Sequence, residues 1–197
     1  MNLESNLDGD TVLRRSAFFP SPGIRRCLTR EWGPGPRALV IGCNPSDAAE
    51  DREDPTSRWW NEWFRLFGFG AYDAMNLWAK VSSNPKQCKC WADWQGNGPY
   101  WQARNEIVCH NLSALVAAAK RADQVFVCWG SIAWDHDWVE HVVKEIQSGE
   151  APWPDLWCWG KTKSGAPIHP MARGKHRISK DQEPILWRQG HGSGSCL

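Results

Sequence analysis

The chain has 197 residues, enough for one domain with a sizeable core and too few for two of ordinary size. Its 23 basic and 22 acidic residues leave a formal charge of +1, which excludes a polycation that grips nucleic acid by net charge alone. No apolar stretch approaches the roughly 20 residues that span a bilayer, and Glu4, Asp8 and Asp10 stand where a signal peptide is basic, so the chain reads as cytoplasmic, without a membrane partner.

In chain order, Val12 to Phe19 and Arg25 to Trp32 are expected to pair as a short antiparallel ribbon across the turn Pro20-Ser21-Pro22-Gly23. Arg37 to Cys43 is a nearly continuous apolar run, opened by Pro34-Gly35-Pro36, as in a parallel strand covered on both faces. Ser57 to Phe67 reads as an aromatic helix, Tyr72 to Trp78 as a second parallel strand, and 82–99 as an irregular insertion rich in Asn, Gly, Cys and Trp. Tyr100 to Arg121 has a helical stripe of Ile107, Leu112, Leu115, Val116 and Ala119. Gln124 to Trp129 is the third strand, Ala133 to Gln147 the next helix and Leu156 to Trp159 the fourth strand. The expected fold is therefore α/β: a three-layer α/β/α sandwich on a central, mainly parallel four-stranded sheet, with the N-terminal ribbon as a further edge. Residues 1–189 form a single domain in this reading, and 190–197 a flexible tail.

Eight cysteines do not make a metal framework here. Cys27, Cys43, Cys109, Cys128 and Cys158 are scattered singly and read as reduced thiols, and Cys88-x-Cys90 has no second close pair. No metal or cofactor is expected. Fifteen tryptophans are far above ordinary usage, yet Trp59 with Trp63 and Trp134 with Trp138 stand at helical spacing and read as packing. Trp60, Trp91, Trp94 and Trp101 are the candidates for a stacking face.

Chemistry is expected where the strands end, since ligands of open α/β sheets bind outside the carboxyl ends of the strands. After the first parallel strand, Gly42 permits a close turn and Pro45 fixes the backbone beside the carboxamide of Asn44. That amide either positions a polar ligand or closes an Asx-type turn. Ser46 follows, and Asp47, Glu50, Asp51, Glu53 and Asp54 load the loop with carboxylates, as a metal or base site or as a solvated lead into a helix capped by Asp54 or Thr56. Asn76 ends the second strand, where its amide can read a ligand edge or tie loops together. Gly130 and Ser131 follow the third, as an anion-binding turn or a helix cap. His169-Pro170 closes the fourth in a stiff loop, and Lys161, Lys163, Arg173, Lys175 and Arg177 make the segment around it basic.

Taken in order, Asn44-Pro45-Ser46 with Ala48, Asp54-Pro55-Thr56, Asn76-Leu77, Trp129-Gly130 and Gly165-Ala166-Pro167-Ile168-His169-Pro170 resemble the domain of unknown function 1643 family over roughly Phe18 to Arg173. The layout is also similar, more remotely, to the uracil-DNA glycosylase superfamily, through Gly42-Cys43-Asn44-Pro45, Asn76, Trp129-Gly130-Ser131-Ile132-Ala133 and His169-Pro170. Met171 stands where that superfamily usually has Ser.

The second resemblance implies a hydrolase that cleaves the N-glycosidic bond of a modified or mispaired base, with DNA favoured over a free nucleotide, and the chain is expected to be a monomer. Asn44 would orient water, neutral His169 would donate to the departing base, Asn76 would read it and Trp60 would stack on it. Gly42, Pro45, Ser46, Asp54, Gly130, Ser131 and Pro170 would complete the substrate site, and the basic segment would hold phosphates. Two other readings stand beside it. One is a non-catalytic nucleic-acid or nucleotide-binding module. The other is a metal-assisted hydrolase built on Asp47, Asp51 and Asp54.

Overall fold

Leu39, Val40 and Ile41 are buried because β3 (Arg37–Gly42) lies in the middle of the sheet and is covered on both faces. The computed structural model describes residues 14–93, 96–151 and 153–190. Around β3 the chain forms β1 (Arg14–Phe18), β2 (Cys27–Glu31), α1 (Pro55–Leu66), β4 (Ala71–Asn76), α2 (Pro85–Ala92), α3 (Pro99–Arg121), β5 (Gln124–Val127), α4 (His136–Ile146), β6 (Leu156–Cys158) and β7 (Ile185–Arg188). Single 3₁₀ turns occupy Gly130–Ile132 and Gly174–His176.

The strand order is β1-β2-β4-β3-β5-β6-β7. β4, β3, β5 and β6 run parallel, while β2 joins β4, and β7 joins β6, antiparallel. The four-stranded sheet expected from the sequence is thus corrected to a mixed sheet of seven strands. The ribbon β1/β2 widens one edge, with Val12 and Leu13 of its expected range outside the described residues. β7 supplies the other edge and carried no alternating signal: it is four residues long and exposes both Ile185 and Leu186.

Alternation along the strands sends side chains to two separate cores. Leu39, Ile41, Met75, Val125 and Val127 pack against Leu115 and Ala119 of α3 and Val139, Val142, Val143 and Ile146 of α4. Ala38, Val40, Tyr72, Ala74 and Phe126 face α1, which contributes Trp59, Trp60, Trp63 and Phe64. Trp59 stacks on Trp63 at 6.2 Å, and Trp78 stacks on both Trp134 (5.7 Å) and Trp138 (5.2 Å), so these indoles are structural. Each such pair adds about 0.5–1.5 kcal/mol beyond its buried area.

Three local expectations are corrected. The insertion is not irregular throughout, because Asn84 caps α2 by accepting from Lys86 N at 3.0 Å and Cys88 and Ala92, four apart, are buried. The helix expected from Ala133 starts at His136, where Asp135 accepts from Trp138 N at 2.9 Å; the cap is Asp135 rather than Ser131. Gly190, read from the sequence as the first residue of the tail, is tied to the domain by its N, which donates to Asp155 Oδ1 at 2.7 Å, and 191–197 lie outside the described residues. Among the described residues no helix is long and apolar enough to cross a membrane.

Candidate functional site

β3 connects to β4 on one side of it and β5 connects to β6 on the other, so the chain changes direction between β3 and β5. A cleft at the carboxyl ends of the strands is expected at such a point. One is present there: about 50 Å³, lined by Gly42, Asn44, Ser46, Asp54, Trp60, Asn76 and His169 of the predicted residues, with Arg25, Cys43, Thr56, Ser57 and Ile132 among the others. That volume holds a few water molecules.

The loop after β3 is clamped from the β2 side by two buried arginines. Arg25 Nη1 donates to Ala48 O at 2.5 Å, and Arg30 donates from Nη2 to Ala49 O at 2.6 Å and from Nε to Glu53 Oε1 at 2.6 Å. Burial raises the Glu53 pKa, but hydrogen bonds from Arg30, Ser57 and Asn61 and the charge of Arg30 outweigh it and hold the carboxyl below the usual range. At the end of the loop Asp54 caps α1. Its Oδ1 accepts from Ser57 N at 2.7 Å, Ser57 Oγ accepts from Asp54 N at 2.9 Å, and Ser46 Oγ hydrogen-bonds Oδ2. Both carboxylate oxygens of Asp54 are therefore engaged.

Asn44 does not close a simple Asx turn. Its Nδ2 donates to Pro45 O at 3.1 Å and to Ser82 O at 2.7 Å, which ties the loops after β3 and β4 together. With both amide hydrogens used, Oδ1 is what Asn44 has left to offer a ligand, and it can only accept. Asn76 pairs in register with Gly42 at the strand ends. The Asn76 residue is 5% exposed, and among the described residues its carboxamide has no hydrogen-bond partner. A Cβ on Gly42 would stand 2.7 Å from Asn76 Oδ1, so only glycine leaves the amide its place.

His169 arrives through a hairpin in which Lys161 pairs with Pro167, and Gly130 N donates to Pro167 O at 2.9 Å. Gly130 has φ +69°, a left-handed conformation that favours glycine, and a Cβ there would lie in ordinary contact with His169 Cβ at 3.5 Å. The ring is oriented by Met171 N, which donates to Nδ1 at 3.1 Å. Burial lowers the His169 pKa to about 4 against the opposing charge of Asp54. The neutral ring, with Nδ1 accepting, carries its proton on Nε2 and is a donor at neutral pH. Cys43 is no competing nucleophile, because burial pushes its thiol up to about 12.

Some predicted residues lie elsewhere. Pro45 is buried and does not line the cleft, and Gly130 backs His169. Ser131 is exposed in a separate depression with Trp129 and Trp187. Pro170 borders an open groove of about 780 Å³ together with Trp59, Met171, Arg173, Arg177 and Lys180. Lys175 is exposed within the intervening 3₁₀ turn, while Lys161 donates to Trp187 O at 3.1 Å and Lys163 sits in the hairpin turn, away from that groove. Trp60 is on α1 and is 5% exposed with an edge-to-face contact to Tyr72, so it is a wall of the cleft and not a free platform. Trp91 packs on the α2 side of the core, Trp101 lies on α3, and Trp94 is outside the described residues.

Asp47 and Asp51 are exposed and do not join Asp54. Among the described residues no group of three or more His, Cys, Asp and Glu could hold a metal ion. Cys88 is buried and Cys90 exposed, on different faces of α2. The metal-assisted reading therefore has no assembled ligand set among these residues. Arg25 is the site residue the sequence did not single out. Its signal, an arginine pair ahead of a strand, is indistinguishable from a solvated charge until packing buries it.

The fold defines an α/β protein with a polar cleft at the direction-changing point of its sheet. The chain belongs to the family described as Protein of unknown function (DUF1643), whose family model matches residues 25–171, a span that holds every residue lining the cleft. No curated protein matches the chain. No solved structure matches it.

Proposed function

We propose that the cleft is the active site of an N-glycosidic hydrolase acting on a base of a nucleotide or nucleic acid. The observation that carries this reading is the convergence, in one cleft, of an unpartnered Asn76 carboxamide, an acceptor-only Asn44 and a neutral, donating His169. Asn44 Oδ1 accepts a hydrogen bond from the attacking water. The C1′–N bond breaks with its electron pair leaving on the base, and His169 Nε2–H stabilises that developing charge. Water adds at C1′ and its released proton neutralises the base anion. Asn76 pairs with the base edge, which needs one donor and one acceptor side by side. A flat base must part the walls of the closed cleft to bind. The likeness of these strand-end motifs to the uracil-DNA glycosylase superfamily supports the same chemistry.

A second reading, binding without turnover, is favoured by the groove of Arg173, Arg177 and Lys180 that continues from Pro170, since such cations make phosphate contacts. Base release from a panel of modified oligonucleotides and nucleotides separates the two. Release that falls by roughly 10²-fold or more in His169→Ala supports hydrolysis. Salt-dependent binding with no release from any substrate supports the second reading.

A further inference from the structure

The proposed reaction leaves one buried charge unused. Arg25 is 3% exposed and lines the cleft. Nη1 donates to Ala48 O and, at 3.4 Å, to Ser46 O, but among the described residues Nε is buried without a partner and Nη2 makes no hydrogen bond. Arg30, its neighbour in the clamp, has Glu53; Arg25 has no ion pair among the described residues. Asp54 acts on it electrostatically, yet both Asp54 oxygens are engaged by Ser46 and Ser57. Trp60 Nε1, on the same cleft, is also buried and unpartnered. Orphaned buried donors are costly, of the order of 1–3 kcal/mol each, so two beside one cleft call for a common acceptor.

We propose that Arg25 and Trp60 form an oxyanion subsite that takes the terminal phosphate of a free nucleotide. This deepens the hydrolase reading and rests on it. Guanidinium and indole N–H groups are donors only, so the ligand atoms they face must be acceptors. Burial lowers the Arg25 pKa to about 10 against the charge of Asp54, and the group remains a cation at neutral pH. A terminal phosphate has one ester arm and can end in a small, closed cleft. A backbone diester has two arms and would have to thread through it to reach a side chain so deeply buried.

Titration calorimetry tests this with inorganic phosphate, the common deoxynucleoside 5′-monophosphates, their parent nucleosides and an oligonucleotide with a 5′-hydroxyl. The wild-type protein is expected to bind phosphate and to prefer monophosphates over nucleosides by at least about tenfold, the scale of a hydrogen bond to a charged group. Arg25→Met should abolish that preference. Trp60→Phe, which keeps an aromatic ring but removes the indole N–H, should reduce it by roughly two- to tenfold and decides the matter if Arg25→Met fails to fold. Equal binding of monophosphate and nucleoside overturns the inference, as does a preference that survives both variants. An oligonucleotide that displaces phosphate as well as a monophosphate does also overturns it, in favour of the backbone. A phosphate preference without base release keeps the subsite and removes the reaction, whereas base release indifferent to the phosphate does the reverse.

Discussion

Asn76 Oδ1 occupies the space in which a side chain on Gly42 would begin, 2.7 Å from the position of its Cβ. The two residues are register partners at the carboxyl ends of β3 and β4, so the glycine and the amide form one feature of the cleft wall.

Gly42→Ala is therefore expected to push the Asn76 carboxamide out of place and to destabilise the fold by about 1–3 kcal/mol. Much of that cost should vanish in Gly42→Ala with Asn76→Ala, because the clash is with the amide itself. Denaturant unfolding of the four proteins in the double-mutant cycle measures the coupling, and additive effects would show that the two do not interact.

The His169 ring is predicted to titrate near 4, the folded value, and not near its ordinary 6.5. Between these values the unfolded chain binds the proton more readily than the folded one. The histidine's contribution to stability is therefore full above about 6.5 and declines as pH falls toward 4. An NMR pH titration of the ring protons, assigned with His169→Gln, is expected to stay flat down to pH 5. Met171→Pro would remove the N–H that orients Nδ1 and should change the tautomer balance of the ring.

Arg30 is fully buried with Glu53 as its carboxylate partner. Glu53→Gln should cost about 3–5 kcal/mol, the scale on which breaking a buried pair leaves a charge uncompensated. Because the Glu53 pKa is lowered on folding, this stabilisation is present above the ordinary carboxylate range and is lost as pH falls through the folded value. Wild type and variant should converge in acid, as read by thermal unfolding across pH.

How much of this was legible follows from what each residue's neighbours are. Leu39 to Ile41 announce a central strand because both of their faces are buried, and Asn44, Asn76 and His169 could be picked out because each follows such a run. β7 escaped because an edge strand that exposes Ile185 and Leu186 has no alternation to read. Ser131 was misjudged because Asp135, four residues on, provides the cap. Lys161 and Lys163 looked continuous with Arg173 and Arg177, but the hairpin that delivers His169 turns them to another side. Arg25 was hidden for a deeper reason: its burial is created by the loop after β3, more than twenty residues away.

The most direct test of the cleft as a hydrolytic site is the single-turnover rate of base release by wild type, Asn44→Ala, His169→Ala and the double variant on the best substrate of the panel. Residues that serve one transition state are not additive, so the double variant should be scarcely slower than the worse single variant, each having lost roughly 10²-fold or more. Release by the double variant at the wild-type rate would contradict the account.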